Sequence, residues 1–198
     1  MKKKLIITLI VIIIISVFGM LFLGRKDTIE DNDITDIDIN TELLISFSEA
    51  LEIFAEGKES VVTDVETGVT YTVRRITQGY TTIADVETLT ADDTEKLLST
   101  TGGTFNMRRR AIIVNVDGIE IAASISPFVH SGRDDAPFGA IVDNRSGAAG
   151  RGINLNSIRD NNMEGVIDIY FYNSLIPILN RVDERHQEMV LKAAQERE

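Results

Sequence analysis

Two apolar-rich runs, residues 111–116 and 119–125, are separated only by Asp117-Gly118. A two-residue loop of this kind closes a β-hairpin through a type I′ turn, whose central residues both take positive φ. The turn fixes the register. Val116 opposes Ile119, Val114 opposes Ile121, and Ile112 opposes Ala123. Side chains alternate along a strand, so these six share one face, and Ile113, Asn115, Glu120 and Ala122 lie on the other. The first face is expected to pack on a core and the second to be partly wet. The chain is thereby committed to antiparallel β-structure, with further strands needed to bury the hairpin.

Those strands are legible on either side. Residues 61–65 and 69–73 flank Glu66-Thr67-Gly68. A three-residue loop with Gly68 in the left-handed region puts Val61, Thr63, Val65, Val69, Tyr71 and Val73 on one face. A two-residue Thr67-Gly68 loop mixes Asp64 into that face, so the bulged turn is expected. Residues 84–89 and 166–172 read as two more strands. Ser46-Phe47-Ser48-Glu49 is a capping-box pattern, followed by Phe47, Ala50, Leu51 and Phe54 on one helical face, with Gly57 to close. Thr90 can cap a second helix through the amide of Asp93, burying Leu97 and Leu98. After Pro177 a last helix over about 182–195 carries the stripe Val182, His186, Met189 and Ala193. Residues 131–165, rich in Gly, Asn, Asp and Arg, read as a long irregular region, commonly functional or mobile. Gly147 to Gly152 lacks the Gly-Lys-Ser/Thr ending of a phosphate loop. The fold class is α+β: an antiparallel sheet or small barrel-like domain with a few helices.

The chain begins differently. Lys2, Lys3 and Lys4 precede an uncharged run over 5–23. Nineteen residues at about 1.5 Å each roughly match a ~30 Å hydrocarbon layer. The run is longer than the apolar core of a cleaved signal peptide and lacks a small-x-small ending. The expectation is an uncleaved single-pass transmembrane helix within residues 1–26, with the lysines inside and the rest extracytoplasmic. Residues 27–40 hold six acidic and no basic side chains, a solvated tether. Asp31-Asn32-Asp33 places Glu42 at the twelfth position of a calcium loop, but Asp36 occupies the sixth, where a glycine is required. The extracytoplasmic domain is expected over 41–198.

Charge and composition exclude several function classes. The 198-residue chain carries a net charge of −11, which argues against nucleic acid as a partner. Cysteine is absent, so no thiolate chemistry, disulfide or thiolate-held metal is available. No cofactor is expected, and no metal site is assigned. Residues 105–159 hold seven arginines against five acids, a local excess of +2 on an acidic protein. At the open end of the central hairpin, Arg108, Arg109 and Arg110 lie across from Pro127, Ser126 and Ile125. Arginines beside Ser124, Ser126 and His130 can bind an anion; salt bridges to the acidic chain are the alternative. His130 and His186 are the only histidines. His186 falls on the apolar stripe and reads as packed, whereas His130 ends a strand before Gly132. A hydrolytic zinc site needs about three protein ligands. His130, Asp85 and Asp168 supply them only where the fold brings them together. Two carboxylates flanking a glycosidic bond are a further option for Asp85 and Asp168.

Residues 68–194 contain Ala84-Asp85-Val86, Leu89-Thr90, Asp93-Thr94, Arg109-Arg110, Ile121-Ala122-Ala123-Ser124, His130, Ser174 and His186-Gln187. In order and spacing this resembles a poorly characterised exported domain of Gram-positive bacteria that often sits beside peptidoglycan-binding repeats. The resemblance implies a place in the cell envelope. It also exposes departures. The pattern's first histidine is Ile83 here. Where it reads Gly-His-Phe-Cys-Ile-His-Phe, this chain has Gly165-Val166-Ile167-Asp168-Ile169-Tyr170-Phe171. The His/Cys arrangement of the pattern is similar to that of L,D-transpeptidases, where a thiolate attacks a carbonyl. Asp168 is no thiolate substitute.

The expected function is a membrane-anchored, extracytoplasmic module that binds cell-wall material (peptidoglycan or an anionic wall polymer) or an envelope protein, without catalysis. The alternatives are a cell-wall-modifying hydrolase using Asp85, His130 and Asp168, and a subunit of a membrane complex.

Overall fold

A computed structural model describes residues 39–76 and 79–195. The expected anchor and the tether up to residue 38 lie outside the described residues. Ile39 already pairs with Gln195 in an antiparallel bridge, and the Asn40 side chain accepts from the amide of Glu42 at 3.0 Å. Backbone pairing thus starts two residues before the expected boundary at Thr41. Among the described residues no helix is long and apolar enough to cross a membrane.

The strands are β1 (Glu59–Asp64), β2 (Thr70–Arg75), β3 (Ala84–Thr88), β4 (Arg110–Val116), β5 (Ile119–Ser131), β6 (Ile141–Arg145), β7 (Gly150–Ile153), β8 (Gly165–Tyr170), β9 (Leu175–Ile176) and β10 (Arg181–Val182). The helices are α1 (Phe47–Ile53), α2 (Ala91–Ser99) and α3 (Glu184–Ala193). Six strands close a barrel in the order β1-β2-β3-β8-β5-β4, and each neighbouring pair is antiparallel. Closure leaves the barrel no free edge. The class is α+β, as the hydrophobic patterning requires.

The central hairpin forms in the expected register, from Val116 opposite Ile119 to Arg110 opposite Ile125. Its turn residues take φ of 53° at Asp117 and 90° at Gly118. Val114, Val116, Ile121 and Ala123 face the interior and are fully buried. The second face is drier than expected. Ile113 and Ala122 are covered by Val190 and Ala193 of α3 and by Ala194, which follows it, and the exposed share of that face is Glu120 near the turn.

The β1–β2 hairpin departs from expectation by one residue. Val62 opposes Tyr71, and Ser60 opposes Val73. The Asp64 amide donates to the Val69 carbonyl at 2.9 Å, and the Gly68 amide donates to the Asp64 carbonyl at 2.8 Å. Four residues, 65–68, therefore make the loop, and Val61 is turned outward. Asp64 points into the barrel because β4 supplies Arg110 there. Arg110 Nε meets Asp64 Oδ2 at 2.5 Å and Nη2 meets Oδ1 at 2.7 Å, a bidentate pair. Burial opposes the Asp64 charge. The hydrogen bonds from Arg110 and Thr67 outweigh burial and hold its pKa below the ordinary value.

The helices seal this barrel. Ala50 and Phe54 join its core, and Arg75 Nη1 donates to the carbonyls of Leu51 and Phe54 at 2.7 and 2.8 Å, tying down the end of α1. Ser46 precedes α1 but makes no side-chain cap, so the expected capping box does not form. Thr90 Oγ1 caps α2 as expected, accepting from the Asp93 amide at 3.1 Å. The C-terminal helix begins at Glu184 with Asp183 as its cap. Val182 lies in β10, and Val190 takes its place in the buried stripe.

The 131–165 region is not irregular throughout. It holds the β6–β7 hairpin, and polar side chains order much of the rest. Asn154, fully buried, donates to the carbonyls of Arg133 and Ala136 at 3.0 and 2.9 Å and accepts from the Arg133 amide at 2.8 Å. Glu87 of β3 accepts from the Ser157 amide, the Ser157 hydroxyl and the Ile158 amide at 2.7, 2.7 and 2.8 Å. The segment is thereby stitched to the outside of β3.

Candidate functional site

Asp85 on β3 and Asp168 on β8 are register partners across the β3–β8 seam. Their neighbours Ala84, Val86, Ile167 and Ile169 fill the barrel interior, so alternation sends both carboxyl groups to the outer face. On the other flank of β8, Ser126 of β5 opposes Asp168. The β5–β8 register then shifts between Ser126 and His130, where a bulge carries residues 127–129. A bulge redirects the side chains beyond it. Here it brings the His130 ring to Asp168, with Nε2 2.8 Å from Oδ1. The other ring nitrogen, Nδ1, lies 2.9 Å from the Ser131 hydroxyl.

One ligating atom each from Asp85, His130 and Asp168 lie within 4.8 Å of one another. Asp85 is 1% exposed, yet its Oδ1 is buried without a hydrogen-bond partner. Its Oδ2 accepts from the Tyr80 amide at 2.6 Å. Gly79 lies against this carboxylate so closely that a Cβ there would collide with Oδ2. The side chains of His130 and Asp168 keep 15% and 23% exposure. Beside the cluster is a cleft of about 560 Å³ lined by Tyr80, Asp85, Phe128, His130, Ser131 and the Gly147–Gly152 side of the β6–β7 hairpin.

Burial, followed by the charge of Asp168, pushes the Asp85 carboxyl up to about 7; the Tyr80 amide and His130 act in the opposite direction. Burial disfavours the His130 imidazolium, but the hydrogen bond and charge of Asp168, with the charge of Asp85, raise its pKa above the ordinary value. Groups this close titrate as a set. Such a set can take a proton from water, return one to a leaving group, or hold a cation. Asp85 and Asp168 sit side by side on adjacent strands. That is not the arrangement of an inverting glycosidase, whose carboxyl groups stand roughly 6.5–9.5 Å apart across the sugar.

The structure therefore brings Asp85, His130 and Asp168 together, and Ser126 lies beside them. The three arginines are divided: Arg108 and Arg109 line one pocket with Arg185, and Arg110 lies inside the barrel. Arg110 is 4% exposed and committed to Asp64 inside the barrel. Arg109 Nη2 pairs with Asp183 at 2.7 Å. Arg108 precedes β4, and its amide donates to Asn106 at 2.9 Å. Two of the three cations expected to bind an anion, Arg109 and Arg110, already have carboxylate partners. Ser124 is fully buried and bonds His186 Nδ1 at 2.8 Å, so it is not a surface ligand either. His186 is packed, as its place on the apolar stripe implies. Its ring stacks on Tyr170 at 3.7 Å between centroids and 12° between planes.

Sequence reasoning missed Ser131 and Tyr80. Ser131 stands between His130 and Gly132 at φ 62°, a conformation serine rarely adopts. Only its adjacency to His130 hints at a role. Tyr80 contributes a backbone amide, for which side-chain identity carries no signal.

No family model, curated protein or solved structure matches this chain.

Proposed function

We propose that this chain is a membrane-anchored, extracytoplasmic hydrolase that modifies cell-wall material, with Asp85, His130 and Asp168 acting on the attacking water. The convergence of these three side chains beside one cleft, with Asp85 and His130 in its wall, carries the reading. The buried Asp85 Oδ1, which no donor reaches, supports it. The reaction is addition of water across an acyl or glycosyl bond. The cluster removes one proton from the water oxygen and delivers one to the leaving group, so no net proton is consumed. The lysine-flanked apolar run over 5–23 and the acidic tether support the location, and the resemblance to wall-associated exported domains supports the substrate class. Of the features behind the non-catalytic binding module, the arginine end of the hairpin is weakened, because Arg109 and Arg110 pair with Asp183 and Asp64.

The test is incubation of the full chain in detergent with purified sacculi, followed by mass spectrometry of the supernatant. Release of muropeptides that disappears in Asp168→Asn, with an unchanged melting temperature, supports the hydrolase. Retention on sacculi with nothing released refutes it and restores the binding module.

A further inference from the structure

We infer that Asp85, His130 and Asp168 form a binding site for a divalent transition-metal cation of the Zn²⁺, Co²⁺ or Mn²⁺ kind. The inference deepens the hydrolase reading and rests on it for what the cation would do.

Geometry comes first. The three ligating atoms come from β3, β5 and β8 and already lie within 4.8 Å of one another. Ligands about 2.0–2.2 Å from a tetrahedral Zn²⁺ stand roughly 3.3–3.6 Å apart. Small side-chain rotations close that gap, because all three residues sit on paired strands whose backbones need not move. Next comes the unpartnered atom. Asp85, a residue 1% exposed, is among those that line the cleft, and its buried Oδ1 meets no donor. A carboxyl oxygen held dry without a donor is costly unless something positive reaches it.

The third observation is the histidine's orientation. Metal-bound histidines hold the second ring nitrogen with an outer partner, which fixes the tautomer. Ser131 Oγ, 2.9 Å from Nδ1, is that partner. With the Nδ1 proton donated to Ser131, a cation at Nε2 would take the place of the proton that Nε2 shares with Asp168 Oδ1 at 2.8 Å. The left-handed backbone of Ser131, at φ 62°, is what turns its hydroxyl back onto its own neighbour. The donor set then selects the ion. One imidazole and two carboxylates suit a borderline cation, and the chain has no cysteine to hold a softer one. Two negative ligands balance the charge of a dication, and three protein ligands leave a coordination position toward the cleft, as catalytic sites require.

The test uses the untagged full chain in detergent, stripped with a chelator, dialysed, and titrated with Zn²⁺ alone by calorimetry and with Co²⁺ alone by visible absorption. One equivalent of Zn²⁺ and a tetrahedral Co²⁺ spectrum are expected. Asp85→Asn should weaken binding at least tenfold, and Ser131→Ala should weaken it about ten- to a hundredfold while keeping the melting temperature of the stripped protein. Asp143→Asn, on the distal hairpin, should bind like wild type. Absence of binding, or equal binding by Asp85→Asn, overturns the site. Muropeptide release by the chelated protein overturns it too, while leaving the hydrolase reading intact. Zn²⁺ affinity unchanged in Ser131→Ala overturns the role of Ser131 as the outer partner of His130, and release that stops in that variant then assigns the serine a nucleophilic role. Metal binding with no release from sacculi supports the site and refutes the hydrolase.

Discussion

Acidification should detach α3 from the barrel through one residue. His186 is 2% exposed, its ring lies against Tyr170, and its Nδ1 is bonded to Ser124. Burial, then the positive charge of Arg109, push its pKa from 6.5 down to about 4; Asp183 and Asp168 act in the opposite direction. Between those values the unfolded chain binds a proton that the folded chain excludes. The stabilisation is therefore complete above pH 6.5 and is lost as pH falls toward 4. At about 1.4 kcal/mol per tenfold change, the full loss is roughly 3 kcal/mol, and roughly 2.5 kcal/mol of it is reached by pH 4.5. Urea unfolding of residues 39–198 at pH 7.5 and 4.5, for wild type and His186→Phe, isolates the effect. The phenyl ring keeps the stack on Tyr170 and carries no proton, so other titrating groups largely cancel in the difference. Wild type should lose roughly 2.5 kcal/mol more than the variant over this interval. Equal losses would refute the reasoning, because they would mean that the ring accepts its proton without leaving the helix–sheet contact.

Three further expectations follow from single contacts. Asp64→Ala leaves Arg110 charged inside the barrel with only the half-exposed Glu66 carboxylate, 3.6 Å away, as a partner and should destabilise the fold by about 3 kcal/mol; a loss below about 1 kcal/mol in urea unfolding would show that Glu66 takes over the pair. Glu87→Gln places an amide group where both the Ser157 hydroxyl and the Ile158 amide now donate to Oε2, and hydrogen exchange of the Ile158 amide should accelerate about tenfold, which mass spectrometry can read. Thr90→Ala removes the cap on α2 and should lower stability by about 1 kcal/mol; an unchanged denaturation midpoint would show that Asp93 compensates.

What was legible in the sequence was local. The Asp117-Gly118 hairpin formed in its expected register because the turn and the alternation that define it lie within a few residues. The β1 register was missed because Asp64 reads as an outward residue until Arg110 arrives from a strand that follows much later in the chain. The same pairing withdrew Arg110 from the expected anion site. Asp85, His130 and Asp168 were recognisable one at a time as chemistry-bearing residues. Their meeting depends on the β3–β8 pairing and on a bulge at 127–129, and neither leaves a mark in composition. The order within 131–165 was hidden for a different reason. Asn154 and Glu87 organise that stretch through hydrogen bonds, and hydrophobic periodicity is blind to them.

The excursion between β5 and β8 leaves the barrel at Ser131 and returns at its partner, Gly165. The backbones at the two crossing points are so near that a side chain on Gly132 would strike Gly165. The β6–β7 hairpin is therefore an excursion from that crossing, whereas residues 157–163 stay tied to β3 and the core through Glu87, Thr88 and Met163. A different hairpin, long or short, could stand in its place without altering the strand order or moving Asp85 and Asp168. One wall of the cleft can thus diverge while the chemistry stays put, which gives such a scaffold a route to new substrates that never passes through a broken fold.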